Sequence, residues 1–242
     1  MNRVDGEACF VLHIRPYRDT SALVNLFSPN YGRFTCVAKG LRGGGKSRQS
    51  WRANLQAFNL VSVSWQGRGE LKSLLDVQHQ ASYSLQGRAL FCGLYVNELL
   101  ERLLHQHDPQ ADIFVLYTQC LTRLIGGVQL EESLRRFEFG LLEKLGYGLN
   151  FTHCNRSGLA FNPDRFYFFH PDEGIILADD AVTTSLFSGE VLLQLANGDF
   201  SGDAQLAAKR LSRLALHGLL GNKPLRSRAL FTRQAKSGLS AF

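Results

Sequence analysis

The amino-acid sequence predicts an α+β protein in which a small closed barrel of five strands, residues 1–80, precedes a helical domain, residues 81–242, that carries an inserted β-hairpin at 150–182. Three observations predict it. Short apolar segments separated by turn residues follow one another up to residue 80. Apolar residues then recur at helical spacing from Tyr83 to Gly146, and a strand pattern with a tight turn interrupts them after residue 150.

The strand segments are EACFVLHIRPY, TSALVNLFS, GRFTCVAKG, LQAFNLVSVSWQG and GELKSLLDVQ. Each is rich in β-branched, aromatic or leucine residues and is bounded by turn formers such as Ser28-Pro29-Asn30-Tyr31-Gly32 or Gly67-Arg68-Gly69. Five short strands with no long helix between them close into a barrel, and the oligonucleotide-binding fold is the commonest such barrel.

In the helical domain Leu90, Leu94, Asn97, Leu100 and Leu104 form one stripe and Leu134, Phe137, Leu141 and Leu145 another. Asp108-Pro109 marks a helix start and Gly126-Gly127 a stop. RFYFFH, the turn Pro171-Asp172-Glu173-Gly174 and IIL form the hairpin. Ser188 caps the following helix, and a last helix runs from near Asp203 to Gly221, with Leu206, Leu211, Leu214 and Leu219 as its apolar side. A basic tail closes the chain.

No run approaches the ~20 apolar residues of a bilayer span, and Asp5 and Glu7 stand where a secretory leader is apolar, so a cytoplasmic protein is expected. The five cysteines are odd in number, scattered and form no C-x-x-C pair, which argues against a redox or metal pair and for a reducing compartment. The net charge of +6 is uneven. Residues 1–80 hold 11 basic and 5 acidic side chains, residues 151–205 hold 2 and 8, and residues 206–242 hold 8 and none. Two basic ends around an acidic middle imply polyanionic partners.

The stretch GLRGGGKS, Gly40 to Ser47, matches the phosphate-loop pattern letter for letter. A nucleotide hydrolase using Lys46 and Asp180 is therefore the alternative reading. The pattern works only where the loop opens a helix in a strand-loop-helix unit, and here a strand-like segment follows within a few residues. The stronger reading is a cationic barrel loop. Arg33, Lys39, Arg42, Lys46, Arg48, Arg52, Arg68 and Lys72 supply charge for a phosphate backbone. Aromatic residues Tyr31, Phe34, Trp51, Phe58 and Trp65 are interleaved with them, and Trp51, set among polar neighbours, is the candidate for base stacking. Lys209, Arg210, Arg213, Lys223, Arg226 and Arg228, with Arg233 beyond them, form a second basic block.

The blocks FVLHIRPYRDTSALVNLFSPNYGRFTCVAKGLRGGGKS, GLYVNELLERLL, LRRFEFGLLEKLGYGLNFTHC and KPLRSRALF resemble the bacterial RecO recombination mediator family, over nearly the whole chain. The resemblance implies an oligonucleotide-binding barrel, a helical domain and a zinc-ribbon-like insertion. It implies a protein with no chemical step that binds single- and double-stranded DNA, anneals complementary strands, and engages the single-strand-binding protein and RecR so that RecA can load. For the acidic tail of the single-strand-binding protein, Arg135 and Arg136 beside a slot of Phe91, Leu94 and Tyr95 are the candidate receptor. The family's four zinc cysteines are reduced here to Cys154, so no cofactor is expected: the first pair reads Cys154-Asn155-Arg156-Ser157 and the second is missing.

Overall fold

The computed structural model describes residues 3–43, 48–179 and 185–231. Five strands come first: β1 (Arg3–Tyr17), β2 (Ser21–Ser28), β3 (Gly32–Ala38), β4 (Asn59–Gln66) and β5 (Leu71–Ser82). They close into a barrel in the order β1-β2-β3-β5-β4. β1 serves two neighbours, pairing antiparallel with β4 from Arg3 to Phe10 and with β2 from Phe10 to Tyr17, and two register irregularities bend it to do so. Closure comes from a short parallel ladder between β3 and β5, where Cys36 faces Lys72.

The alternation in NLVSVSWQ turns Val61, Val63 and Trp65 inward, and they pack with Cys9, Val24, Leu26, Phe34, Cys36, Leu74 and Val77. Between β3 and β4 stands α1 (Gln49–Asn54), a six-residue helix in a stretch that reads as loop. It adds Trp51 and Leu55 to the barrel core and leads directly into β4, which lies antiparallel to both β1 and β5. A phosphate loop needs a full helix and a parallel strand beyond it. This arrangement has neither at that point, and the Lys46 and Asp180 of that reading lie outside the described residues.

Two helices, α2 (Gly87–Leu103) and α3 (Ala111–Ile125), cover the outer face of β1 and β2. Phe10 meets Phe114 and Tyr117 at ring distances of 5.0 and 4.8 Å, and Phe27 meets Phe114 at 5.6 Å. Leu12 sits at a bulge without a strand partner, and its carbonyl accepts from the Asn97 amide at 2.9 Å, while Tyr117 donates to the same amide at 2.6 Å. A buried amide is tolerated because its polar atoms are used. Gly93 marks the closest approach, since a Cβ there would come within 2.4 Å of Leu85 and 2.9 Å of Phe58.

By packing, the chain forms two compact units. One comprises Met1–Val128 with the segment after Leu225; the other is Gln129–Pro224. The second holds α4 (Leu130–Lys144), a sheet of β6 (Phe166–His170), β7 (Gly174–Leu177) and β8 (Phe187–Ser188) in the order β7-β6-β8, then α5 (Gly189–Ala196) and α6 (Gly202–Leu220). The Ser188 hydroxyl caps α5 by accepting from the Val191 amide at 3.3 Å. α6 buries Ala204, Ala207, Ala208, Leu211 and Leu216. This corrects the apolar side read from the sequence, because Leu206 and Leu214 are 62% and 39% exposed and lie with Arg210 on another face. Among the described residues no helix is long and apolar enough to cross a membrane.

Candidate nucleic-acid interface

The barrel carries a cavity of about 160 Å³ at the end where β3 begins and β4 ends. Phe34 and Trp65 form its buried inner wall, with rings 4.6 Å apart, and Tyr31, 40% exposed, stands edge-on to Trp65 at 5.1 Å and 87°. Val4, Gly67, Arg68, Lys72 and His107 complete the lining.

Local sequence explains each position. Arg68 rides the β4–β5 turn and Lys72 projects from β5 opposite Cys36. Tyr31 sits in a turn built around Ser28, whose hydroxyl accepts from the Asn30 and Tyr31 amides at 3.1 and 3.2 Å and donates to Glu7. Gly32 follows at φ +63°, and a Cβ there would lie 2.1 Å from the Asp108 carbonyl oxygen. Only glycine allows this approach. It draws the segment after α2 onto the barrel, where the His107 amide donates to the Arg33 carbonyl at 2.9 Å. Burial lowers the His107 pKa, the positive charge of Lys72 and of Arg33 lowers it further, and Glu70 opposes them.

Arg33, from the same basic set, has a structural task. Its guanidinium donates to the Leu104 carbonyl at 3.1 and 3.3 Å, satisfying the end of α2 where the helix dipole is negative. Burial lowers its pKa and Glu101 opposes that.

At the other end of β3 lies the cationic loop. Lys39 and Arg42 are exposed, and Arg42 donates to the Arg18 carbonyl at 3.3 Å. Arg52 donates to the carbonyls of Leu41 and Gly43, and Arg48 lies over the Trp51 ring at 3.8 Å. These bonds to neutral groups hold the loop without cancelling its charge. Lys46 lies outside the described residues. Trp51 is 6% exposed and belongs to the barrel core, so the stacking role suggested by its polar neighbours is corrected: the neighbours are polar because they face water, while the indole turns inward. Tyr31 is the accessible ring.

The second basic block is split between the two units. Lys209, Arg210 and Arg213 lie on α6 and Lys223 just beyond it, whereas Arg226 and Arg228 follow the buried Leu225 in the first unit; Arg233 is outside the described residues. Arg210 lies over Phe187 at 5.1 Å and donates to the Leu186 carbonyl at 3.4 Å.

The residues of the candidate receptor for an acidic tail are divided between the two units. Phe91, Leu94 and Tyr95 belong to α2 in the first unit, and Phe91 meets Phe231 edge-on at 5.9 Å. Arg135 and Arg136 belong to α4 in the second. Arg135 is buried, donating to Glu138 and to Ser212, both at 2.8 Å. This removes it from any surface role. Arg136 pairs with Glu132 at 2.7 Å and donates to the Gly198 carbonyl at 2.8 Å.

Two family models divide the chain between them: Recombination protein O N terminal matches residues 1–83, and Recombination protein O C terminal matches residues 84–229. The chain belongs to the RecO family. It is 44% identical over 230 residues to the DNA repair protein RecO of Coxiella burnetii, covering 94% of this chain and 98% of that protein. It is also 44% identical over 227 residues to the DNA repair protein RecO of Haemophilus influenzae, covering 92% and 94%. RecO membership gives the barrel and its helices a role in DNA repair and recombination.

The zinc of the RecO resemblance meets an unsuitable set of donors. Among the described residues no three of His, Cys, Asp and Glu are grouped to hold a metal. Burial pushes the Cys154 thiol pKa up, but hydrogen bonds from the Ser157 hydroxyl and from the Ser157, Leu177 and Arg156 amides outweigh it and bring the pKa below the ordinary value. The turn thus keeps its form through hydrogen bonds: the Gly158 amide donates to the Cys154 carbonyl at 2.8 Å and the Asn155 amide to the Ile175 carbonyl at 2.9 Å. His153 and His170 are engaged with Thr152 and with Asp172 and Glu173. One thiol among these partners does not make a tetrahedral site.

His107 is a polar lining residue that sequence reasoning missed. No motif surrounds it, and only the glycine approach at Gly32 places it at the barrel.

Proposed function

We propose that this chain is a DNA-binding recombination mediator with no chemical step of its own. It takes single- and double-stranded DNA on its basic surfaces, anneals complementary strands, and acts with RecR on single strands coated by single-strand-binding protein so that RecA can load. It does so in the bacterial cytoplasm, at the nucleoid, and its hairpin works without a metal.

Family membership supports this reading, and one observation carries it. Arg68, Lys72 and His107 surround a cavity walled by Tyr31, Phe34 and Trp65, so charge for the backbone and rings for the bases share one place. The lysine and arginines of the loop at the far end of β3 extend the same charge without sequence preference. Two basic surfaces acting together screen two phosphate backbones, which is what annealing without fuel requires. For the acidic tail, α6 is the better receptor now that Arg135 is buried. Leu206, Arg210 and Leu214 share one exposed face with Arg213 beside them, combining apolar contact with cations.

The test is binding to fluorescent single-stranded DNA across a salt series, comparing the wild type with Arg68→Ala/Lys72→Ala. Weaker binding, with a log–log salt slope shallower by about 1 per cation lost, is expected. Unchanged affinity and slope would remove DNA from this end of the barrel.

A further inference from the structure

The cavity is small. Whole small-molecule ligands occupy roughly 300–1,000 Å³, whereas a cavity of roughly 150 Å³ accepts one benzene-sized ring. At about 160 Å³ this one has room for a single six-membered ring. Its walls are suited to a flat aromatic guest: Phe34 and Trp65 are fixed in the barrel core, and Tyr31 stands at right angles to Trp65 with its ring partly open to solvent. Its rim is rich in hydrogen-bond donors, with Lys72 on β5, Arg68 on the adjoining turn and His107 on the segment held by Gly32. A guest whose edge accepts hydrogen bonds and whose neighbours are phosphates satisfies all of these features at once.

We infer that this cavity is a base subsite selective for a pyrimidine of single-stranded DNA, with the Tyr31 ring against the base and Arg68 and Lys72 at its carbonyl edge and flanking phosphate. The inference rests on the reading that the barrel binds DNA, and deepens it by naming what one part of the surface selects. A pyrimidine ring fills the space that Tyr31, Phe34 and Trp65 line, whereas the second ring of a purine extends past them into solvent and gains no contact there. Thymine presents carbonyl acceptors to the donor rim. A base paired in a duplex keeps its edge and faces occupied, so only an unpaired pyrimidine enters, and duplex DNA is restricted to charge contacts elsewhere.

The experiment measures affinities for oligothymidine and oligodeoxyadenosine strands of equal length, by fluorescence anisotropy and by quenching of tryptophan emission, for wild type, Tyr31→Phe and Tyr31→Ala. Adenine strands stack on themselves, and that cost is the same for every variant, so the quantity read is the change in the preference ratio. Tyr31→Phe keeps the ratio. Tyr31→Ala reduces it by about fivefold or more, as loss of one stacked ring implies, and weakens quenching by oligothymidine. Circular dichroism melting confirms that both variants are folded, as expected for a half-exposed turn residue. An unchanged ratio in folded Tyr31→Ala, or wild-type binding that quenches no tryptophan emission, would overturn the subsite while leaving DNA binding by the barrel intact. Failure of the wild type to bind either strand would overturn both.

Discussion

Glu98, on α2, holds the Arg226-Ser227 turn with both oxygens of its carboxylate: Oε2 accepts from the Ser227 amide at 2.9 Å and from its hydroxyl at 2.6 Å, while Oε1 accepts from the Arg226 amide at 2.8 Å. The helical turn that begins at Arg228 is thereby capped, with Leu225 buried beside it. The KPLRSRALF block is thus a strap returning the chain from the second unit to the first. Its serine and leucine do the fastening and its arginines face outward.

Glu98→Ala is expected to destabilise the protein by about 1–3 kcal/mol, the cost of losing charge-assisted bonds to a backbone turn. Burial raises the Glu98 pKa, but the bonds from Ser227 and Arg226 and the charge of Arg102 prevail and hold it below the ordinary carboxylate value. A depressed folded-state value means stability that is present above about pH 4.3 and lost as pH falls through the folded value. Thermal melts from neutral pH into that range check this, and in Glu98→Gln the corresponding part of the acid sensitivity should disappear.

Trp51→Ala is expected to cost about 3–5 kcal/mol, as for a large aromatic removed from a core. Trp51→Phe should recover much of that stability and bind single-stranded DNA within about twofold of wild type, since no base stacks on this ring in the present reading. Denaturant unfolding and binding, run in parallel, separate a core tryptophan from a stacking one.

Arg135 and Glu138 form a buried pair in the second unit. Arg135→Met removes the cation opposite a buried carboxylate and is expected to cost about 3–5 kcal/mol, whereas Arg135→Met/Glu138→Leu should recover most of it. Binding of an acidic, phenylalanine-ended peptide to the folded double variant should match wild type. Loss in Arg210→Ala/Arg213→Ala alone would locate that peptide on α6.

His107 should make DNA binding pH-dependent. Burial, Lys72 and Arg33 disfavour its charged form in the free protein and Glu70 opposes them. A phosphate at the rim favours the charged form, so binding takes up a proton and affinity rises as pH falls from about 7 through the ordinary imidazole value near 6.5. His107→Gln should flatten that dependence in anisotropy titrations. An identical pH profile would place the phosphate elsewhere.

Much of the fold was legible because it is written in local patterns. The alternation of NLVSVSWQ, the helical stripe around Leu90 to Leu104, the Pro171-to-Gly174 turn and the Ser188 cap each follow from period or turn chemistry within a few residues. The basic, aromatic character of the barrel region and the family blocks are likewise properties of the chain itself. What the sequence left undecided is where side chains with equal local standing end up. Arg33, Arg135 and Arg68 are alike as letters, yet one closes α2, one neutralises Glu138 inside a core, and one lines the cavity. Trp51 and Tyr31 are both aromatic residues in polar stretches, and α1 turns the first inward while the Ser28 turn leaves the second open. Burial depends on contacts between residues far apart in sequence, and these exist only once the barrel has closed and α2 and α3 have packed against it. The sequence therefore determines the family, the elements and the sign of the charge, and the tertiary structure decides which of those charges and rings remain exposed.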